Sequence, residues 1–368
     1  MKIEIEKKDL LNLIGKTLNI VDKKNTMAVL VNVLLDADHD RVKVFATDLE
    51  VSLTDEVYAK VIESGKVVVS TKNLFEICKK LDEGKIQFIK KENNWLEIKQ
   101  GRFSSRIVGV SHEDYPIFPT YNPQYFLKMN ALMLKEMIDK TIYSVSNDET
   151  RYHLNGVYFE INSQNNCRMV ATDGHRLSLV NKQLEQLKHN LTSGVIIPRK
   201  GLFEIKKIIE NNTGTIEIAI EGSQFYLKNE STVLMIRLIE GKYPNYQQFI
   251  PQKLPLKILV NKNEFLTSLE RVALLANQKS KAVLLNLANK RMEISSNNPE
   301  LGEAKEEIEV EYSGSDLKIG FNARYLLDVL AAIDEEKVLI EINDHLSPGV
   351  VRPNNDPNYT CVVMPMRI

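Results

Sequence analysis

The segment ATDGHRL, Ala171 to Leu177, is where acid and base side chains of this chain come closest to a catalytic arrangement, with Asp173 and His175 two residues apart and Cys167 upstream. A hydrolytic triad needs a carboxylate on the far imidazole nitrogen and a nucleophile within reach of the near one. An i, i+2 pair in a turn does not meet that need. The expected role is structural, with Asp173 capping backbone amides and Gly174 supplying an unusual dihedral. The six histidines, His39, His112, His153, His175, His189 and His345, show no metal spacing, and no phosphate-cradling glycine loop or nucleophile elbow occurs. No metal or cofactor is implied. Cys78, Cys167 and Cys361 are scattered, odd in number and form no CxxC, which points to buried reduced thiols rather than a disulfide frame or a zinc site.

The elements around these residues repeat three times. Ile3, Ile5, Leu10, Leu13 and Ile14 open the first copy, Leu127, Met129, Leu134, Met137 and Ile138 the second, and Ile258, Val260, Phe265 and Leu269 the third. In each, alternation gives way to helical spacing, so a strand runs into an amphipathic helix. KVVVSTKNLFEI (Lys66 to Ile77) lines up with GVIIPRKGLFEI (Gly194 to Ile205), and more weakly with DLKIGFNARYLLDVL (Asp316 to Leu330). Pro198 suits the start of a helix because it has no N–H to leave unpaired. The exits DYPIFP (Asp114 to Pro119) and KYPNYQQFIP (Lys242 to Pro251) also correspond. Three domains of an α+β fold follow, over 1–125, 126–252 and 253–368, a division that suits a chain of 368 residues.

A hydrophobic fraction of 43% and a charged fraction of 26% are those of an ordinary globular protein. The opening MKIEIEKKDL is too charged for a signal peptide and no apolar run is long enough to span a membrane, so a cytoplasmic location is expected. A net charge of −1 excludes a protein that holds nucleic acid by sheer positive charge. The Pro- and Asn-rich stretch from Ser347 to Tyr359 reads as an exposed loop.

RYHLNGV (Arg151 to Val157), VATDGHRL (Val170 to Leu177), PRKG (Pro198 to Gly201), YPNY (Tyr243 to Tyr246), NNPE (Asn297 to Glu300), YSG (Tyr312 to Gly314), GFNARYLLDVL (Gly320 to Leu330) and the terminal VVMPMRI run the length of the chain. Together they resemble the bacterial DNA polymerase III beta subunit, the replicative sliding clamp. That resemblance implies a non-enzymatic processivity factor with the DNA clamp fold, helices inside and antiparallel sheets outside. Two chains would meet head to tail as a six-domain ring around duplex DNA. Implied partners are a second copy, double-stranded DNA, a replicative polymerase, a clamp loader and other carriers of a short apolar motif. A second reading is an enzyme or regulator on the same fold, acting through Asp173 and His175. Retention on circular but not linear DNA separates the two.

The resemblance also carries over site residues. A partner-peptide cleft falls on Leu154, Thr172, Gly174, His175, Arg176, Leu177, Pro244, Phe249, Val362 and Met364 for one subsite. The neighbouring subsite takes Arg151, His153, Asn322, Tyr325, Pro348, Pro365, Met366 and Arg367. His153 stands where relatives often have Tyr, and Gln248 where a basic residue is common. Lys72, Lys79, Lys80, Lys135, Lys140, Arg199, Lys200, Lys206, Lys207, Lys262, Arg271 and Arg324 lie on or beside helices. Among such residues the resemblance favours Lys24, Lys72, Lys79, Arg199 and Lys200 for DNA, with Tyr152 and His153 near the rim. Asp148 replaces a frequent Gln there. For the dimer it points to Arg102, Phe103, Ser105 and Ile107 on one edge, with Ser105 where Phe is common, and to Leu274, Leu275, Glu300 and Glu303 on the other. The basic Lys99, Arg102 and Arg106 would face an acidic run of Glu300, Glu303, Glu306, Glu307, Glu309 and Glu311.

Overall fold

The computed structural model describes residues 1–21, 27–118, 126–185 and 194–367. Six α-helices occur among them: α1 (Lys7–Gly15), α2 (Thr71–Lys80), α3 (Ala131–Asp139), α4 (Arg199–Ile209), α5 (Lys262–Ala273) and α6 (Ala323–Ala331). Each follows directly on a strand, as the three copies require. In four cases the last strand residue makes the change of geometry by capping the helix. Ser70 accepts from the Asn73 N–H at 3.4 Å, Asn130 from Met133 at 3.0 Å, Asn261 from Glu264 at 3.1 Å and Asn322 from Arg324 at 3.0 Å. The periodic positions Leu10, Leu13, Ile14, Leu134, Met137, Ile138, Phe265 and Leu269 are all buried. Each such side chain contributes about 1.5–3 kcal/mol through burial.

The strands form four antiparallel sheets. The described residues divide into two compact units, one drawn from 1–135 and 200–238, the other from 136–185, 194–199 and 239–367. The first unit holds a five-stranded sheet in the order Lys60–Glu63, Lys2–Glu6, Lys85–Lys90, Leu96–Gln100, Phe103–Ile107. It also holds a nine-stranded sheet in which Val51–Tyr58 of the first copy pairs with Thr232–Arg237 of the second, Leu53 opposite Leu234. The second unit holds a four-stranded sheet ending on Gly302–Glu309. Its eight-stranded sheet pairs Arg176–Gln183 of the second copy with Tyr359–Val363 of the third, Leu177 opposite Val362. Each large sheet therefore contains a seam between consecutive copies.

The stretch expected as an exposed loop is strand in its first half, while Asn354 to Asn358 remain a mostly exposed connection. Gly349–Pro353 is an interior strand between Lys337–Ile342 and Tyr359–Val363, with Val350 and Val351 buried. The β-branched run Val350-Val351 decided this locally, and the prolines fall where a strand tolerates them, before it and at its end. The cysteines are all buried and unpaired, as expected.

The copies match down to a turn. Asp173 Oδ1 accepts from the N–H groups of His175 (2.9 Å) and Arg176 (3.0 Å), and Thr172 Oγ1 from Gly174 (3.1 Å). In ATDLEVSL of the first copy, Asp48 Oδ1 accepts from Glu50 (2.9 Å) and Val51 (2.7 Å), and Thr47 Oγ1 from Leu49 (3.0 Å). Gly174 has φ +89°, and its counterpart Leu49 is held at φ +76° with half its surface exposed. A leucine there carries the left-handed penalty that glycine escapes. Leu49→Gly is expected to raise stability by about 0.5–1 kcal/mol, read as a higher urea midpoint at unchanged slope.

Candidate functional site

The second seam carries an apolar cluster. Leu154, Leu177 and Val362, predicted for the first subsite, are buried and share one cluster with Val170, Leu179, Ile196, Tyr243, Tyr246 and Val350. Of the residues not anticipated, Leu179 was legible, because alternation puts it on the same strand face as Leu177. Val350 was hidden by the misread loop. Tyr158 and Tyr243 stack with ring centres 5.0 Å apart and so firm one wall. Phe249 and Met364, also predicted for this subsite, are 53% and 41% exposed and so present apolar surface to solvent. Pro244, Pro348, Pro365 and Met366 are partly buried, whereas Arg367 is exposed.

The terminal segment is tied in at two points. The Met364 N–H donates to His175 O at 2.9 Å and that of Met366 to Gly320 O at 2.8 Å. Beside it, His175 stacks on Tyr325, with centroids 6.4 Å apart, and Asn322 is committed to capping α6. Arg151 Nε donates to Asp148 Oδ2 at 2.9 Å, and Asp148 also caps the turn Glu149–Leu154 through the Thr150 N–H. The acidic replacement at 148 thus has a structural use.

Arg176 organises the ground beneath. Its side chain is 8% exposed and binds Asp173 (3.0 Å), Asp328 (2.6 Å) and the Tyr143 carbonyl (2.5 Å), while the guanidinium lies over the rings of Tyr325 (4.6 Å) and Tyr143 (5.3 Å). Asp173 therefore commits both oxygens to backbone amides and Arg176, and neither orients an imidazole. The charges here are taken up in holding the protein together.

The whole sequence matches known proteins. Residues 1–119 match the N-terminal domain of the DNA polymerase III beta subunit, 128–245 its central domain and 247–367 its C-terminal domain. The chain belongs to the DNA polymerase III beta subunit family. A beta sliding clamp of Caulobacter vibrioides is 32% identical, with both chains covered in full. Among solved structures, the sliding clamp of Bartonella birtlesii bound to griselimycin superposes with a TM-score of 0.95 at 30% identity, and the DNA polymerase III subunit beta of Pseudomonas aeruginosa with 0.95 at 31%. Both comparisons cover all of each chain. The fold is thus the three-domain clamp fold, and the family's work is that of a non-catalytic processivity factor.

The DNA candidates are placed unevenly for a beta subunit. Lys24 lies outside the described residues. Lys72 and Lys79 are exposed on α2, Lys79 with its ammonium 6.0 Å from the Phe75 ring centre. Tyr152 is exposed, edge-on to the partly buried His153. Lys200 is ion-paired to the nearly buried Asp48, and Arg199 donates to Asn147 Oδ1 at 2.6 Å. Lys140, named among the basic residues on or beside helices, is buried against Glu136 (2.6 Å), Asp356 (3.6 Å) and the Tyr359 ring. Helical spacing alone gives no sign of partners two hundred residues away.

The dimer candidates fall on two sheet edges. Phe103–Ile107 pairs only with Leu96–Gln100 among the described residues, and alternation sets Phe103, Ser105 and Ile107 on one face. Gly302–Glu309 likewise borders only Arg291–Asn298. Arg102, Glu300 and Glu303 are exposed, Leu274 is 77% exposed and Leu275 half-buried. Glu97 was not anticipated: a nearly buried carboxylate ringed by Lys91 (3.0 Å), Lys99 (3.2 Å) and Arg106 (3.4 Å). The hydrogen bond from Lys91, with that from Lys99 and the charges of both, outweighs its desolvation and holds its pKa down to about 2. Three cations around one anion leave this edge positive. On the other, Glu306 and Glu307 pair with Arg271 and Arg291 of the same chain, so part of the acidic run is already answered.

Proposed function

We infer that two copies of this chain join head to tail into a ring of six clamp domains, divided near residues 125 and 252, that encircles duplex DNA without reading its sequence. The cleft at the second seam then tethers a replicative polymerase, a clamp loader or other proteins through a short apolar motif. Retention by topology suits a chain of net charge −1, because sliding needs contacts that are weak and alike at every base pair. Tethering replaces repeated encounters by a high local concentration, which is what processivity consists of. Such a ring works in the cytoplasm, beside the chromosome; no helix among the described residues is long and apolar enough to cross a membrane.

The observation that carries the reading is the seam itself. Buried Leu177 and Val362 face each other across it, and the exposed Phe249 and Met364 follow closely on strands and turns of the same two copies, in a chain that matches the beta subunit from end to end. The expected contacts to DNA are Lys24, Lys72, Lys79, Tyr152, His153, Arg199 and Lys200. Closure joins the edge at Arg102, Phe103, Ser105 and Ile107 to that at Leu274, Leu275, Glu300 and Glu303. The deciding experiment loads the protein on a nicked circular plasmid with a clamp loader and ATP, then cuts the plasmid once. Retention on circles and loss from the linear form is the expected result, and equal retention on both would overturn the ring.

A further inference from the structure

The strand pair that carries the cleft has a second face, and on it lies a buried polar network. Tyr143 Oη sits 2.8 Å from Tyr359 Oη and 3.1 Å from Cys361 Sγ, and it accepts from Ser178 Oγ at 2.7 Å. Ser178 Oγ is also 2.7 Å from Ser144 Oγ. Ser144, Ser178, Tyr359 and Cys361 have no solvent exposure at all. The Tyr143 carbonyl receives Arg176. Ser178 stands opposite Cys361 in the ladder and Leu177 opposite Val362, so network and cleft floor occupy alternate residues of the same two strands.

The first seam shows that the fold does not demand this network. There the turn is duplicated, and by alignment of the two turns Val51, Ser52, Leu53 and Thr54 take the places of Arg176, Leu177, Ser178 and Leu179. The faces are inverted: polar Ser52 and Thr54 stand where the second seam has its apolar floor, and buried Val51 and Leu53 where it has Arg176 and Ser178. Leu234 faces Leu53 as Cys361 faces Ser178. At Leu53 and Leu234 the first seam packs apolar side chains where the second has directional bonds, and its own polar contacts lie one step along the same face, where Ser231 Oγ donates to Asp55 Oδ1 at 2.7 Å and Lys16 Nζ to Thr232 Oγ1 at 3.0 Å. Such bonds fix one register and one depth, which apolar contact tolerates losing.

We propose that Tyr143 is a positioning residue for partner binding: through Ser178, Cys361 and Tyr359 it sets how Tyr359–Val363 and the terminal segment after it sit against the turn at His175. This rests on the cleft reading above. The strand Tyr359–Val363 leads straight into Met364, whose N–H bonds His175 O, so a shift at Cys361 is passed to the wall within three residues.

The test compares Tyr143→Phe and Ser178→Ala with Thr141→Val, whose buried hydroxyl bonds only carbonyls of its own helical turn, Met137 and Ile138. The probe is a fluorescein-labelled hexapeptide ending in Leu-Phe, read by anisotropy, with dimer mass and unfolding midpoint measured in parallel. Tyr143→Phe and Ser178→Ala should each weaken the peptide by about fivefold to tenfold, whereas Thr141→Val should lose stability and leave affinity unchanged. Wild-type affinity in both network variants, or an equal loss in Thr141→Val, would overturn the positioning role. No binding by the unaltered protein would overturn the cleft reading and this inference with it, a result plainly different from the other two.

Discussion

Arg176→Ala is expected to destabilise the second unit by about 3 kcal/mol and to weaken peptide binding by about tenfold or more. The guanidinium is buried, answers Asp173 and Asp328 at once, holds a backbone carbonyl and fills the space between two tyrosine rings. Truncation leaves two carboxylates and a carbonyl without their donor, and breaking such a buried group costs more than the group contributes net. Arg176→Lys should recover little, since one ammonium cannot serve three acceptors in a plane while stacking on aromatic faces. Urea unfolding with peptide anisotropy checks both effects, and a loss below about 1 kcal/mol would show that water replaces the guanidinium at little cost.

Deleting residues 364–368 is expected to abolish peptide binding, a loss on the order of 100-fold, while leaving the dimer intact. The segment carries the exposed Met364 and the partly buried Pro365 and Met366 of the proposed cleft, and backbone hydrogen bonds at His175 and Gly320 fasten it. Both proposed sheet-edge contacts lie elsewhere in the chain. Size-exclusion chromatography with light scattering should give about twice 42.1 kDa for the shortened protein. Monomers would show that the terminus also supports the interface.

Local patterns made the scaffold readable. Alternation giving way to helical spacing located the strands that run into α1, α3 and α5, and the ATD turn was legible because an aspartate before glycine has few other uses. Distant pairing was the harder part. Lys140 and Lys200 read as cations open to DNA because Asp356 and Asp48, 216 and 152 residues away along the chain, leave no local trace. Glu97 was within reach, since the hairpin around Gly101 places it opposite Arg106, but it takes the register to see that. The Tyr143 network lay beyond sequence patterns, because serine, cysteine and tyrosine at core positions of strands look like ordinary filling until their hydroxyls are seen to meet.

The two open sheet edges differ in sign as well as in sequence. Phe103–Ile107 is bordered by Arg102, Arg106 and Lys99, whereas Gly302–Glu309 contains four glutamates and one lysine. Mating either edge with its own twin on another molecule would set like charges across the ladder, where they repel. An isologous dimer, the commonest arrangement for identical chains, is thereby discouraged at both edges, which suits the directional pairing proposed above.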